Sequence, residues 1–464
     1  MDDSFITWRY GYNLIHHGIW NYNPSHFDPT QAYTNPIYAV LSIIPALLGV
    51  NVVLFFKILS LLLGMAFIVL MVRRRPDTEI WLGLFFAVPA TMIHLFAGLE
   101  TFLFVTLMFA VLVAVLERRT TMALWVTSLL FVTRPESWLL LVLVPVFLFL
   151  TRLKLDWKKA LRAFGILAGV LVGYFLITYA LFGQILPNTF FVKSGKELLL
   201  WRLWPLLWVL AILIPVAIMG YWRVVSLSLL FSLPVIYDYC TSTLAMDYAS
   251  RYAYHLYAPL ALFVLYVYGE RANRLELRRR ISFIPLTRVF TAVGVLLISI
   301  GFSYAAFESD LIGYESYYPR LLAAHGAIGK YAASLGNLKA MAMSDAGLGP
   351  YLADVPNLDA LRLGTHIGAT EGVDVKLVQE YGVNFAALSE TSEAGWPVKN
   401  YLSVEGYTSV CLVYQQPTYR LELWLNHKDP KALQVCENSK KANDISNTDY
   451  FQKDVWVAPW TYWR

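Results

Sequence analysis

The stretch NVVLFFKILSLLLGMAFIVLMV, residues 51–72, holds a single charged side chain, Lys57. A helix of that length crosses the hydrocarbon core of a bilayer, which takes about 20 apolar residues. Arg73-Arg74-Arg75 ends the run. Comparable apolar runs follow at residues 78–97, 101–116, 122–133, 138–150, 160–182, 201–221, 224–240, 254–269 and 283–307. Together they predict about ten crossings. The composition agrees: of 464 residues 58% are hydrophobic and 15% charged, with a mean hydropathy of +0.52. That is too apolar for a soluble enzyme and predicts a polytopic α-helical membrane protein.

The cations orient these spans. Arg73-Arg74-Arg75, Glu117-Arg118-Arg119, the cluster at 152–162, Arg223 and the cluster at 271–280 all fall on alternate connections. The positive-inside rule assigns them to the cytoplasm. Gly98-Leu99-Glu100, Arg134-Pro135-Glu136, residues 186–197, residues 247–251 and everything beyond 307 then face outward. So does the polar, aromatic stretch 1–35. An outward Met1 has to be delivered there, and we expect a first helix upstream of it. Residues 37–50, opening on Asn35-Pro36, are too short to span and read as a surface helix.

Beyond residue 308 no spanning run follows, and Gly, Asp and Asn increase. Strand-like runs at 339–343, 385–388 and 408–414 are separated by turn signals. The expected organisation is a first outer loop with surface helices at 1–50, a transmembrane domain at 51–307, and an extracytoplasmic α/β domain at 308–464. Three cysteines exclude a disulfide scaffold and a Cys-rich metal site. Cys411 and Cys436 both lie in the outer domain, either as a pair in an oxidising compartment or as two thiols. Heptads, a collagen period, a Gly-rich nucleotide loop, zinc spacing and a nucleic-acid footprint are all missing from the sequence.

Two adjacent carboxylates, Asp2 and Asp3, stand at a membrane entrance, where acidic groups are costly. Such a pair can act as general base toward an acceptor hydroxyl or bind a divalent cation at a departing phosphate. Mutual repulsion raises their pKa, which suits a base; the plainer reading is two solvated acids. Glu100 and Glu136 lie just outside predicted spans. They either bind sugar hydroxyls or, for Arg134 with Glu136, close an ion pair at a helix end. Lys193 and Arg251 are outward cations at the depth of a lipid phosphate, where a fixed positive charge stabilises a leaving group. Snorkelling to headgroups is the alternative. His255 follows Arg251 by one helical turn and could share its face. Tyr33 and Asn35 precede the surface helix, and Asn-Pro is also an ordinary helix-start signal.

Several of these residues fall in recognisable order. Asp2-Asp3-Ser4-Phe5-Ile6, then Arg9-Tyr10, Asn13-Leu14, Gly18, Asn21-Tyr22-Asn23-Pro24 and Ala32-Tyr33-Thr34-Asn35-Pro36 resemble the first outer loop of GT-C membrane glycosyltransferases. The branch they resemble most contains the mycobacterial terminal arabinofuranosyltransferases and proteins of flagellar motor control. Gly98-Leu99-Glu100-Thr101, Arg134-Pro135-Glu136, Leu186-Pro187-Asn188-Thr189-Phe190 with Lys193, Arg251-Tyr252 and Asp345-Ala346-Gly347 continue the match. The helix that precedes the acidic pair in that family has no counterpart here, and the outer domain matches loosely.

The resemblance implies a GT-C fold and an enzyme of the EC 2.4 class in a plasma (inner) membrane. Its donor would be a polyprenyl-phosphate sugar, a pentofuranose by analogy with the arabinosyl branch, and its acceptor an extracytoplasmic glycan or glycolipid. Asp2 and Asp3 become the catalytic carboxylates, with Asp2 preferred as base. Arg251 and Lys193 would hold the donor phosphate; Glu100, Glu136, Arg134, Tyr33, Asn35, Asn188 and His255 would bind sugar or acceptor. A divalent cation is a candidate cofactor. The rival expectations are a non-catalytic accessory protein of an envelope machine and a transporter. Against transport, the predicted spans hold few ionisable residues and no inverted repeat.

Overall fold

The computed structural model describes residues 1–74, 89–150, 157–193, 220–241, 251–274, 318–390, 392–416 and 419–442, with scattered residues between 82 and 86, between 199 and 218, and at 294. The chain is mostly helical. It opens with α1 (Asp2–His17), which carries both acids in its first turn and two histidines in its last. That distribution of charge complements the helix dipole. Gly18 ends α1 in the left-handed region (φ 70°) and donates to Leu14 O, while Ile19 N donates to Asn13 O. An extended stretch then leads to two short helices, α2 (Pro36–Leu41) and α3 (Ile43–Leu48). Their Val40, Ile44, Leu47 and Leu48 are exposed, in keeping with the expected surface helix.

The helical region continues as α4 (Val52–Arg74), α5 (Pro89–Phe96), α6 (Thr101–Leu116), α7 (Thr120–Thr133), α8 (Leu140–Leu150), α9 (Trp157–Phe182), α10 (Asn188–Lys193), α11 (Trp222–Thr241) and α12 (Arg251–Arg274). Three stretches are long and apolar enough to cross a membrane: α4, Phe164–Phe182 of α9, and α11. The exposed side chains along the middle of α4 and α9 are mostly apolar, among them Leu54, Ile58, Leu62, Leu176 and Ile177, with Lys57 the exposed cation within that stretch of α4. Lipid satisfies such a surface, whereas water does not.

About ten crossings were expected, and the described residues hold three such helices, or four if the bent pair α5–α6 counts as one span. The physical reasons differ by element. α6 begins and ends where its run predicts, but it meets α5 at an angle of 109°. α7 and the helix at 137–148 are apolar yet short. Every described side chain of α12 from Arg251 to Val267 is buried, so protein surrounds it there. The expected span at 283–307, residue 294 apart, and most of that at 201–221 lie outside the described residues.

The C-terminal region is a three-layer α/β/α domain. A five-stranded sheet has the order β2-β1-β3-β5-β4. Its strands are β1 (Ala340–Met343), β2 (Asn357–Asp359), β3 (Val383–Ser389), β4 (Thr408–Gln416) and β5 (Tyr419–Leu425). β1 pairs parallel with β2 and β3; β5 pairs antiparallel with β3 and β4. Side chains alternate across the sheet with the strand period of two. Met341, Met343, Phe385 and Ala387 pack on one face against Ile328 of α13 (Ala327–Ala333) and Ala432 of the last helix, Pro430–Ala442. Ala342, Ala386 and Leu388 pack on the other against Leu377 and Val378 of Val375–Tyr381 and Val398 and Leu402 of Trp396–Val404. β2 and β5 were not anticipated. The open question over the two outer cysteines resolves to a Cys411–Cys436 disulfide, which ties β4 to the last helix.

Candidate functional site

α1 lies between the helical region and the C-terminal domain and touches both at its first turn. On the helical side it covers the sharp turn between α5 and α6. Gly98 there has φ 78°, and a Cβ on it would lie 3.1 Å from the Trp8 ring and 3.4 Å from Ser4 Oγ. Only glycine allows both this backbone and this approach. On the other side a Cβ on Gly347 would fall 2.3 Å from the Asp2 carboxyl. The two acids expected to act together are thereby separated.

Asp2 is buried within the C-terminal domain. Its Oδ1 accepts from Leu348 N at 2.8 Å and lies 3.5 Å from Nδ1 of His325. His325 sits in a π-helical turn, Leu322–Gly326, and its Nε2 is 3.7 Å from Asp345 Oδ2. Asp345 follows β1 and accepts from Tyr419 Oη at 2.5 Å. Burial by itself would raise Asp2, but the His325 hydrogen bond and charge and the Leu348 N–H hold it below the usual carboxylate range. Burial would lower His325, yet Asp345 and Asp2 raise it above the ordinary imidazole value. Burial, together with the charge of Asp2, raises Asp345. These directions favour an ionised Asp2 beside a protonated His325, and the opposite charges limit the desolvation penalty of burying them.

Asp3, one residue on, is half-buried and makes no hydrogen bond or ion pair among the described residues. It lies within electrostatic reach of Arg251. Arg251 starts α12 and is 5% exposed. Its Nη2 donates to Tyr252 Oη at 3.4 Å, its Nε has no partner, and no carboxylate among the described residues lies within ion-pair distance of it. Arg134, by contrast, bonds Glu100 Oε1 at 3.0 Å, with both side chains buried. The Tyr252 ring lies near both guanidiniums, 5.8 Å from that of Arg134 and 5.1 Å from that of Arg251. His255 completes the group: it is buried, packs 4.8 Å from the Phe104 ring, and its Nε2 is unpartnered. Beside it, His94 stacks at 4.3 Å on Tyr254, whose hydroxyl donates to Thr91.

The structure thus brings together Asp3, Glu100, Arg134, Arg251 and His255. Glu100 pairs with Arg134, and the expected ion pair of Arg134 with Glu136 falls outside the described residues. The side chain of Glu136 lies outside the described residues. Four other expected binding residues do structural work or stand apart. Tyr33 is buried in an aromatic cluster with Tyr10, Trp20 and Phe182, and its hydroxyl accepts from Trp20 Nε1. Asn35 caps α2 through Tyr38 N, a turn role; its Nδ2 is buried without a partner. Asn188 donates to the carbonyls of Arg362 and Leu363 and meets His366 at 2.8 Å, tying α10 to the C-terminal domain. Lys193 is half-buried at the end of α10, with no described contact to Arg251. The preference for Asp2 as base is corrected in the same way, because its carboxylate is enclosed by His325 and Leu348 N whereas that of Asp3 is not.

Other contacts weld the first loop to the C-terminal domain. Tyr22 donates to Ala346 O, Asn23 pairs with Asn357, and Asp28 accepts from His366 N, Ile367 N and Tyr381 Oη. His325, Tyr419, Asn357 and Asp28 were not anticipated. Only His325 left a trace, as the lone ionisable group in the small-residue run Leu321-Leu322-Ala323-Ala324-His325-Gly326. Among the described residues no three His, Cys, Asp or Glu side chains are arranged to hold a metal ion. No known protein family, curated protein or solved structure matches this chain.

Proposed function

We propose that the chain is a polytopic membrane glycosyltransferase of GT-C type that moves a sugar from a polyprenyl-phosphate donor to a glycan or glycolipid outside the cytoplasm. The observation that supports this reading is Arg251, a buried guanidinium with no carboxylate within ion-pair distance among the described residues, beside the paired Arg134 and Glu100 and within electrostatic reach of Asp3. An uncompensated buried charge is costly and marks a place where a ligand supplies the counter-charge. A phosphate fits, because guanidinium pairs with phosphate oxygens through charge-assisted hydrogen bonds.

In this reading Asp3 takes the proton from the acceptor hydroxyl as its oxygen bonds the anomeric carbon. The bond from that carbon to the donor phosphate breaks, and the polyprenyl phosphate leaves with its charge held against Arg251. His255 Nε2 offers a neutral hydrogen-bonding atom beside the leaving group. No step is routed through a divalent cation. The Cys411–Cys436 disulfide supports an oxidising, extracytoplasmic side for the C-terminal domain.

The test is transfer by lipid-reconstituted protein from a panel of polyprenyl-phosphate sugars, comparing wild type, Asp3→Asn and Asp2→Asn. Loss of turnover in Asp3→Asn by about 10²–10⁴-fold with donor binding retained supports the assignment. Wild-type protein that neither binds nor turns over any donor leaves the non-catalytic accessory role.

A further inference from the structure

The parallel strands β1, β2 and β3 create a switch point. The chain leaves β1 toward β2 on one side and returns past it to β3 on the other. In open α/β sheets the crevice beyond the carboxyl ends of such strands is the place where ligands bind. Here Asp345, immediately after β1, lines that crevice, and the chain's own Asp2 occupies it. Asp2 takes Leu348 N and His325 Nδ1, while Gly347 has no side chain to keep it out.

From this juxtaposition we infer that the C-terminal domain is a clamp that reads its own first helix as a ligand: protonated His325, held between Asp2 and Asp345, fixes the start of α1 and so sets Asp3 toward Arg251. His325 is a positioning residue, since it reaches the proposed chemistry only through Asp2. The inference rests on the proposed function for its catalytic consequence and on the contacts alone for the clamp.

The geometry explains why the clamp depends on a proton. His325 can donate to both carboxylates only when both ring nitrogens carry hydrogen. The neutral ring would leave one acid with a single donor, Leu348 N for Asp2 or Tyr419 Oη for Asp345. The groups that face His325 are Asp2 from α1, Asp345 after β1 and Gln415 from β4, with Tyr419 of β5 held through Asp345. The Met1 ammonium acts on Asp2 as well, but burial lowers it to about 6, so above that pH losing the imidazolium proton leaves the acids facing one another. A raised folded-state histidine contributes its stabilisation fully below its unfolded value of about 6.5 and loses it as pH rises through the higher folded value. Asp345, which burial raises, changes in the same direction. The clamp therefore tightens toward neutral and mildly acid pH and loosens above it.

Hydrogen–deuterium exchange of the full chain in lipid nanodiscs, corrected for intrinsic rate from about pH 6 to about pH 9, tests this. For wild type we expect protection of residues 2–10 to fall about tenfold as pH rises, while α12 and the sheet hold theirs. His325→Gln should lower that protection at every pH and abolish its pH dependence. Asp345→Asn provides a second variant should His325→Gln fail to fold. Protection of residues 2–10 that is insensitive both to pH and to these substitutions would overturn the clamp. Transfer assays on the same samples separate the two readings. A pH-dependent clamp in a protein without turnover sustains the clamp and sinks glycosyl transfer. Turnover by His325→Gln with unchanged kcat and pH profile, despite a loosened α1, removes its positioning role.

Discussion

Two buried ionic clusters flank the first turn of α1, and they are built on opposite plans. Around Asp2 the charges close on themselves: two acids, one imidazole, a backbone N–H and a phenol come together. Around Arg251 they stay open among the described residues. Arg134 and Glu100 pair with each other, and the described hydrogen-bond partner of the second guanidinium is Tyr252 Oη. Burial punishes an unpaired charge far more than a paired one. Asp2 and Asp3 are neighbours in sequence, yet they fall one into each plan.

The sharpest way to break this comparison is to remove one partner from each guanidinium. Glu100→Gln strips Arg134 of its counter-charge inside the protein and should destabilise by about 3–5 kcal/mol in thermal or denaturant unfolding. Arg251→Gln removes a charge that no ion pair among the described residues balances, so stability should hold or rise. Donor turnover should fall by about 10²–10³-fold. Equal destabilisation by the two substitutions would erase the distinction between closed and open clusters.

A second test uses pH. The C-terminal domain carries its own buried acid, Asp359, at the end of β2. Burial pushes it up to about 7, against the N–H donors of Gly364 and Leu361. The unfolded chain gives up that proton at lower pH, so stability should decline as pH rises from about 4 to about 7, by on the order of 2–4 kcal/mol. Asp359→Asn should flatten that decline, read as Tm against pH.

A smaller effect is expected at the contact itself. Gly347→Ala places a methyl 2.3 Å from the Asp2 carboxyl, so α1 or the backbone around Gly347 must move. The expected loss is about 1–3 kcal/mol, and α1 should exchange faster while donor affinity stays unchanged. Tyr22→Phe, which deletes the hydrogen bond to Ala346 O across the same interface, should cost about 1 kcal/mol. If it costs nothing in unfolding experiments, the seam between loop and domain is weaker than its contacts suggest.

Much of this protein can be read along the chain because its physical causes are local. Apolar length alone marks residues 51–72 as able to span a bilayer, and α4 matches it closely. The ends of α6 fall where its run begins and ends, since Gly98 and Arg118-Arg119 punctuate it. Three of five strands and the C-terminal domain's α/β character follow from short alternating runs and turns. β2 was missed because three residues are too short to show a period, and β5 because its run carries charges on one face. Among candidate site residues, Glu100, Arg134, Arg251 and His255 gather as their positions at helix mouths suggested.

What the sequence could not divide is the pair Asp2-Asp3. Adjacent residues share a local environment in sequence, but on a helix they point about 100° apart. Which carboxylate is enclosed and which stays open depends on what packs against each face. Those partners, His325, Leu348 and Gly347 on one side and Arg251 on the other, come from hundreds of residues away. The same holds for Tyr33 and Asn188, whose polar groups are taken up by distant partners. Chain chemistry determined that the protein carries long apolar helices, a C-terminal α/β domain and a few acids and cations between them. Tertiary packing alone decided which of those charges are paired, because pairing depends on distance in space and no local pattern encodes it.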